Sequence, residues 1–132
     1  MDGVIIINKP KGYTSFDVIA VLRKIFNQKK IGHTGTLDPI ATGVLPVLLG
    51  KAAKVQRFMK EYPKEYVASL KLGITTDTQD ITGNILKTTN IQVPIQNIKK
   101  ALEKFIGEIY QVPPMYSAIK VGGVKLCNLA RK

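Results

Sequence analysis

The residue pattern predicts an α+β fold, a mixed and mostly antiparallel sheet with flanking helices. Three features carry that expectation. Short β-branched and alternating runs recur along the chain, amphipathic helical periods lie between them, and Gly122-Gly123 has the form of a two-residue hairpin turn. In order the elements read β-α-loop-β-α-β-β-α-β-β-β, with no internal repeat and no low-complexity tract. At 132 residues the chain is one domain or part of one, since domains commonly run to ~100–200 residues. A hydrophobic share of 45% against 22% charged is enough for a core and argues against disorder.

Val4-Ile5-Ile6-Ile7 is a continuous β-branched run and reads as a strand buried on both faces. Asn8 to Gly12 ends it, because Pro10 has no ladder donor and Gly12 permits a turn. Thr14 or Ser15 can then cap a helix, with Asp17 favourable in its first turn. Phe16, Ile19, Leu22 and Phe26 form its apolar stripe, Val18 and Ile25 widen it, and it should stop near Asn27. Lys29 to Thr42 lacks apolar periodicity and reads as a loop of 14 residues, a length often kept for function. Val44–Leu49 is a second strand in which Pro46 suggests an edge or a bulge, followed by a short helix over Lys51–Met59.

Further on, Glu65–Leu72 alternates, with Tyr66, Ala68, Leu70 and Leu72 on one face. A polar loop over Thr75–Gly83 precedes a short strand at Asn84–Lys87. Pro94 opens a helix with Ile95, Ile98, Leu102 and Phe105 on one side and lysines on the other. Glu108–Val112 and Ser117–Val121 read as strands flanking Pro113-Pro114, and a helix begins near Asn128.

Composition narrows the function. Twenty Lys and Arg against nine Asp and Glu give a net charge of +11, and 17 of the twenty are scattered lysines. Such a surface suits an extended polyphosphate, RNA or DNA first and an anionic membrane second, against the plainer reading of a lysine-rich solvated exterior. One cysteine and one histidine build neither a disulfide framework nor a structural zinc site. No apolar run approaches the ~20 residues that cross a bilayer, and Asp2-Gly3 does not open a signal peptide. A cytoplasmic protein with no membrane partner is expected.

The chemistry-bearing residues concentrate in Gly32-His33-Thr34-Gly35-Thr36-Leu37-Asp38-Pro39-Ile40-Ala41-Thr42-Gly43. Its glycines let backbone approach a ligand, its threonines suit phosphate, and Asp38 between Leu37 and Pro39 is a partly desolvated carboxylate, a candidate nucleophile or base. The competing reading is that Asp38 caps a turn before Pro39. Gly43 to Lys51 fails as a phosphate-binding loop, because the residues between Gly43 and Gly50 are strand-like. A His33/Asp38/serine triad fails because no serine sits in a nucleophile elbow. Asp77 and Asp80 either cap backbone amides in their loop or join Asp38 in a magnesium-binding carboxylate cluster. Tyr66 is either core or a base-stacking ring. Lys9 and Pro10 most simply terminate the first strand.

Together these segments resemble the TruB-type tRNA pseudouridine synthases. Val4 to Ser15 resembles the family's N-terminal motif, and Gly32 to Gly43 is similar to its catalytic loop almost letter for letter. Lys64-Glu65-Tyr66 with Thr76-Asp77-Thr78-Gln79-Asp80 and Gly83 resembles a third signature, and Pro113 to Lys120 the segment beyond. The resemblance implies isomerisation of uridine 55 in the T loop of tRNA to pseudouridine, with the base flipped out of its stack and no cofactor or metal. It implies Asp38 as nucleophile and His33 as the wedge that fills the space of the extruded base. Tyr66 would pack on the target uracil, Asp80 would hold a charge network near the carboxylate, and Lys9 and Pro10 would brace the loop that also contains Gly35 and Thr36.

By the same resemblance, residues 1–132 are the N-terminal part of a pseudouridine synthase catalytic domain, without the arginine that pairs with the aspartate and without a PUA domain. Such a chain is expected to be nearly inactive alone and to self-associate through an exposed sheet edge. The alternatives are a non-catalytic RNA-binding module and a magnesium nuclease built on Asp38, Asp77 and Asp80.

Overall fold

The computed structural model describes residues 1–59, 63–117 and 119–130, and divides the chain into two units, Met1–Glu65 and Tyr66–Lys132. The first unit is a three-stranded antiparallel sheet packed on one helix. Strand β1 is Gly3–Lys9, helix α1 Ser15–Ile25, strand β2 Ile31–His33 and strand β3 Gly43–Leu49, with β3 in the centre. Val18, Ile19 and Leu22 of α1 meet Ile31, Leu45, Val47 and Leu49 to form the core, and Ile5, Ile7, Phe26 and Leu37 pack around it.

Helix α1 starts where local chemistry says it should. Thr14 is its cap: the Thr14 hydroxyl accepts the Asp17 N–H, and the Asp17 carboxylate accepts the Thr14 N–H in return. Those bonds, the Thr14 hydroxyl first, hold the Asp17 carboxyl below the usual aspartate range, with a smaller contribution from the Lys9 charge. The apolar stripe is narrower than its sequence suggests, since Phe16 and Ile25 are exposed.

Three expectations for this unit are corrected. β1 is not buried on both faces: Ile5 and Ile7 face the helix while Val4 and Ile6 are 63% and 60% exposed, because one helix covers only one side of the sheet. The segment 29–42 is not all loop, since Ile31–His33 pairs with Leu49, Leu48 and Val47. Three residues are too few to show a period, so β2 is specified by its partner strand and not by its own pattern.

Pro46 lies neither in an edge strand nor at a bulge but within the central strand, opposite Ile6. The Thr34 N–H donates to the Pro46 carbonyl at 3.1 Å. In an antiparallel ladder the N–H and C=O of a residue point to the same neighbour, so the donor Pro46 lacks also faces the β2 side. There β2 ends at His33, and the one bond Pro46 forgoes is the return donation to the Thr34 carbonyl, at the very end of the β2–β3 ladder. The same alternation turns the odd residues of β3 toward β1, which leaves the N–H and C=O of Val4, Ile6 and Asn8 on the outer edge of the sheet.

A 3₁₀ helix over Gly50–Phe58 replaces the predicted short helix. Lys51, Lys54 and Arg57 recur at intervals of three, which in a 3₁₀ helix stacks them on one face as an exposed basic ridge.

The second unit is built from short elements. Strands β4 (Ile74–Thr76) and β5 (Ile85–Thr88) form one hairpin, and β6 (Lys120–Val121) and β7 (Val124–Lys125) another. Between β6 and β7, Gly122 and Gly123 both have positive φ, 58° and 83°, as the predicted two-residue turn requires. Helix α2 is Ile95–Leu102 behind Pro94, and α3 is Leu126–Leu129, earlier than the predicted start near Asn128.

Glu65–Leu72 and Glu108–Val112 are not strands among the described residues, and Ser117–Val121 contributes only Lys120–Val121, with Ala118 outside them. Alternation marks which side chains share a face, but a strand also needs a neighbour to bond, and these segments have none within the unit's described residues. The lysine-flanked apolar side of α2 is likewise exposed at Ile95 and Leu102. The fold class is α+β, and every strand pairing among the described residues is antiparallel.

Candidate active site

The loop after β2 is held by main-chain anchors on both sides of Asp38. Upstream, the Leu37 N–H donates to the Ser15 hydroxyl at 2.9 Å, and that hydroxyl lies 3.4 Å from the Leu37 carbonyl, to which it donates. Downstream, the Pro39 carbonyl accepts the Gly12 N–H at 2.7 Å and stands 3.5 Å from the Lys9 ammonium. Asp38 itself closes a turn: its carbonyl accepts the Ala41 N–H at 3.0 Å, with Pro39 in the position that favours a fixed φ. The turn therefore engages the Asp38 backbone, and the carboxylate is left exposed. Desolvation by neighbouring apolar residues is corrected: Leu37 packs toward the core, but Pro39 is exposed, so neither shields the acid.

Lys9 is the buried half of this arrangement. It is 0% exposed, and its ammonium donates to the carbonyls of Tyr13 at 2.6 Å and Pro10 at 3.1 Å besides that of Pro39. A buried ammonium is tolerated only when its protons are taken up. Lys9 does more than end β1, since the same cation ties the 10–13 turn to the loop carrying Asp38. Pro10 contributes its carbonyl. Gly35 and Thr36 lie in the span between His33 and the Leu37 anchor, and a Cβ on Gly35 would meet nothing within 4 Å, so open space and not crowding surrounds it.

His33 ends β2 on the helix side of the sheet, opposite Val47, with its Nδ1 buried and unpartnered. A shallow concavity of about 610 Å³ in this unit is lined by Ala53, Lys54, Gln56 and Arg57, and a second by Gly12, Tyr13, Asp17, Ala20 and Val21. Neither includes Asp38.

In the second unit Tyr66 is 64% exposed and not in a strand, which corrects its placement on a buried strand face. Asp80 organises its own loop. One carboxylate oxygen accepts the Thr82 hydroxyl at 2.6 Å, the Thr78 hydroxyl at 2.8 Å and the Thr82 N–H at 2.8 Å. Those donors, the Thr82 hydroxyl first, hold the Asp80 carboxyl below the ordinary aspartate value. Asp77 bonds the N–H and side-chain amide of Asn84, and a Cβ on Gly83 would collide with Thr78 and the Asp77 carboxylate. Both acids thus cap local donors, and no group of three metal-ligating side chains gathers among the described residues.

Because its folded value is depressed, Asp80 stabilises the loop above the unfolded aspartate pKa of ~3.9 and loses that contribution as pH falls through its lower folded value. The Thr82 amide resonance is expected to titrate with a midpoint below that of a free aspartate. A midpoint at or above it would contradict the bonding.

Ser15 is the residue sequence reasoning missed. Its signal was the pair Thr14-Ser15 at a helix start, where only one hydroxyl can cap and the other is free to reach elsewhere. No helix among the described residues is long and apolar enough to cross a membrane.

The chain is 54% identical over 132 residues to tRNA pseudouridine synthase B of Fusobacterium nucleatum subsp. nucleatum, covering all of this chain and 46% of that protein. It is also 54% identical over 132 residues to the protein of the same name from Clostridium acetobutylicum, again covering 46% of it. The chain thus spans less than half the length of these relatives. A chain in the crystal structure of a Cbf5-Nop10-Gar1 complex superposes with a TM-score of 0.60 at 35% identity, over 89% of this chain and 31% of that one. Residues 23–132 match the profile of the TruB family pseudouridylate synthase (N terminal domain), and the chain belongs to that family.

Proposed function

We propose that this chain is the Asp38-bearing part of a synthase that converts uridine 55 in the T loop of tRNA to pseudouridine. The observation that carries the reading is the Asp38 loop: backbone anchored at Leu37, Asp38 and Pro39, with the Asp38 side chain exposed. The names of the relatives support the substrate class.

The reaction breaks the C1′–N1 bond of the uridine, turns the uracil and joins C1′ to C5; C5 gives up a proton and N1 gains one. Nothing is oxidised and no group leaves, so no cofactor is required. Asp38 acts as the nucleophile or base at the sugar, by attack at C1′ or by taking the C2′ proton, or it attacks uracil C6. Unstacking the target costs a few kcal/mol, and His33, at the end of β2 where the Asp38 loop begins, offsets this by filling the vacated space. Tyr66 offers an exposed ring for the uracil, and Asp80 shapes the polar loop that accompanies it. Lys9 and Pro10 brace the loop from behind. The ridge of Lys51, Lys54 and Arg57 takes RNA phosphates.

Turnover by the 132 residues alone is low in this reading, so the test is tritium release from T-arm RNA labelled at uracil C5, comparing the chain with a version extended at its C-terminus. Release by the extended version in the presence of EDTA is expected, with little from the short chain. Full turnover by the short chain overturns the low-activity part, and RNA cleavage that EDTA suppresses, with no tritium released, favours the magnesium nuclease.

The outer edge of β1 is the basis for self-association. Among the described residues the N–H and C=O groups of Val4, Ile6 and Asn8 are unpaired, they lie beside exposed apolar side chains, and no proline or charge stands among them to block pairing. A second copy pairs there in antiparallel register. Ile6→Pro removes an outward donor that β3 does not use, so it is expected to abolish dimers in sedimentation while leaving the fold intact. A wild-type chain that stays monomeric at all concentrations contradicts this.

A further inference from the structure

We propose that Ser15 is a positioning residue for Asp38, an assignment that rests on the role given to Asp38 above. Ser15 is the first residue of α1, is 2% exposed, and spends its one hydroxyl on both polar groups of Leu37, 22 positions away. Leu37 immediately precedes Asp38, so its main chain sets the direction from which the carboxylate projects.

The support behind Ser15 is rigid. The reciprocal bonds of Thr14 and Asp17 fix the start of α1, and Val18, Ile19 and Leu22 bury the helix in the same core that receives the Leu37 side chain. Leu37 is therefore held twice against one helix, by its side chain and by its main chain. On the far side of Asp38 the anchors are different, Gly12 and Lys9 on the Pro39 carbonyl. Removing the Ser15 hydroxyl releases only the upstream side. The loop stays attached through Pro39 while residues 34–37 gain freedom and the carboxylate shifts. Displacement of a reacting group by ~1 Å can cost about a hundredfold in rate without loss of binding.

The test compares Ser15→Ala with Val18→Ala, a cavity on the same helix that leaves both bonds to the Leu37 main chain in place. In the C-terminally extended chain, Ser15→Ala is expected to lower the single-turnover rate about 30- to 100-fold. The dissociation constant for T-arm RNA should change less than about twofold. Val18→Ala, assayed equally far below its own melting temperature, should stay within about threefold of wild type in rate. A merely structural Ser15 would leave the two variants alike, and that result, or a Ser15→Ala rate near wild type, overturns the proposal. Amide exchange in the 132-residue chain separates this from failure of the proposed function. If no pseudouridine forms at all, the role of Asp38 fails, while faster exchange at Leu37 and Asp38 in Ser15→Ala still supports the anchor and unchanged exchange refutes it.

Discussion

Asp38→Asn is expected to eliminate pseudouridine formation, by roughly three orders of magnitude or more, while the protein folds and binds RNA as before. The separation follows from how the loop is built. The turn at Asp38 is closed by its main-chain carbonyl, which asparagine keeps, and the anchors on Leu37 and Pro39 use no atom of the Asp38 side chain. An exposed carboxylate replaced by its neutral isostere changes stability by no more than about 0.5 kcal/mol. Loss of one negative charge from a chain of net charge +11 lowers repulsion of phosphates, so RNA affinity should hold or rise slightly. The amide, however, neither attacks carbon nor takes a proton. A non-catalytic RNA-binding module would show no functional change in the same variant.

Lys9→Met is expected to destabilise the Met1–Glu65 unit by about 2–3 kcal/mol, and its melting temperature should fall by about 10 °C or more. Two effects oppose each other. Methionine relieves the penalty of holding an ammonium away from water, which is several kcal/mol. It also strips a charged donor from the Tyr13, Pro10 and Pro39 carbonyls, two of them in close contact, and each such bond contributes about 1.5–3 kcal/mol. The second effect wins because three acceptors lose their donor and methionine supplies none. Pro39 keeps the Gly12 N–H, so the loop loosens without detaching. Thermal unfolding followed by circular dichroism gives the answer directly; a melting temperature within about 2 °C of wild type would show that Lys9 is not a structural clamp.

What could be read from the sequence was what is decided locally. The α1 start is legible because Thr14 and Asp17 satisfy each other within one turn, and the Gly122-Gly123 hairpin because two adjacent positive φ angles call for glycine. Strand β2 was hidden because it exists through pairing with β3, and the central place of Pro46 because it depends on where β2 stops. Alternation at 65–72 misled in the opposite way, supplying a face without a ladder partner.

At the site, the motif located the loop, yet the apolar residues beside Asp38 suggested burial that the structure does not have. Leu37 packs against the core while Asp38, which opens the turn, is exposed. Ser15 escaped notice because its partner lies 22 residues away, beyond any local pattern.

Position-resolved mapping of pseudouridine in a tRNA transcript tests most directly the proposal that Asp38 does chemistry on one uridine. Incubation with the C-terminally extended chain should convert uridine 55 and no other, and the Asp38→Asn protein should bind the transcript and leave uridine 55 unmodified. Conversion at uridine 55 by the asparagine variant at the wild-type rate, or an unmodified transcript after saturation with the wild-type protein, would contradict it.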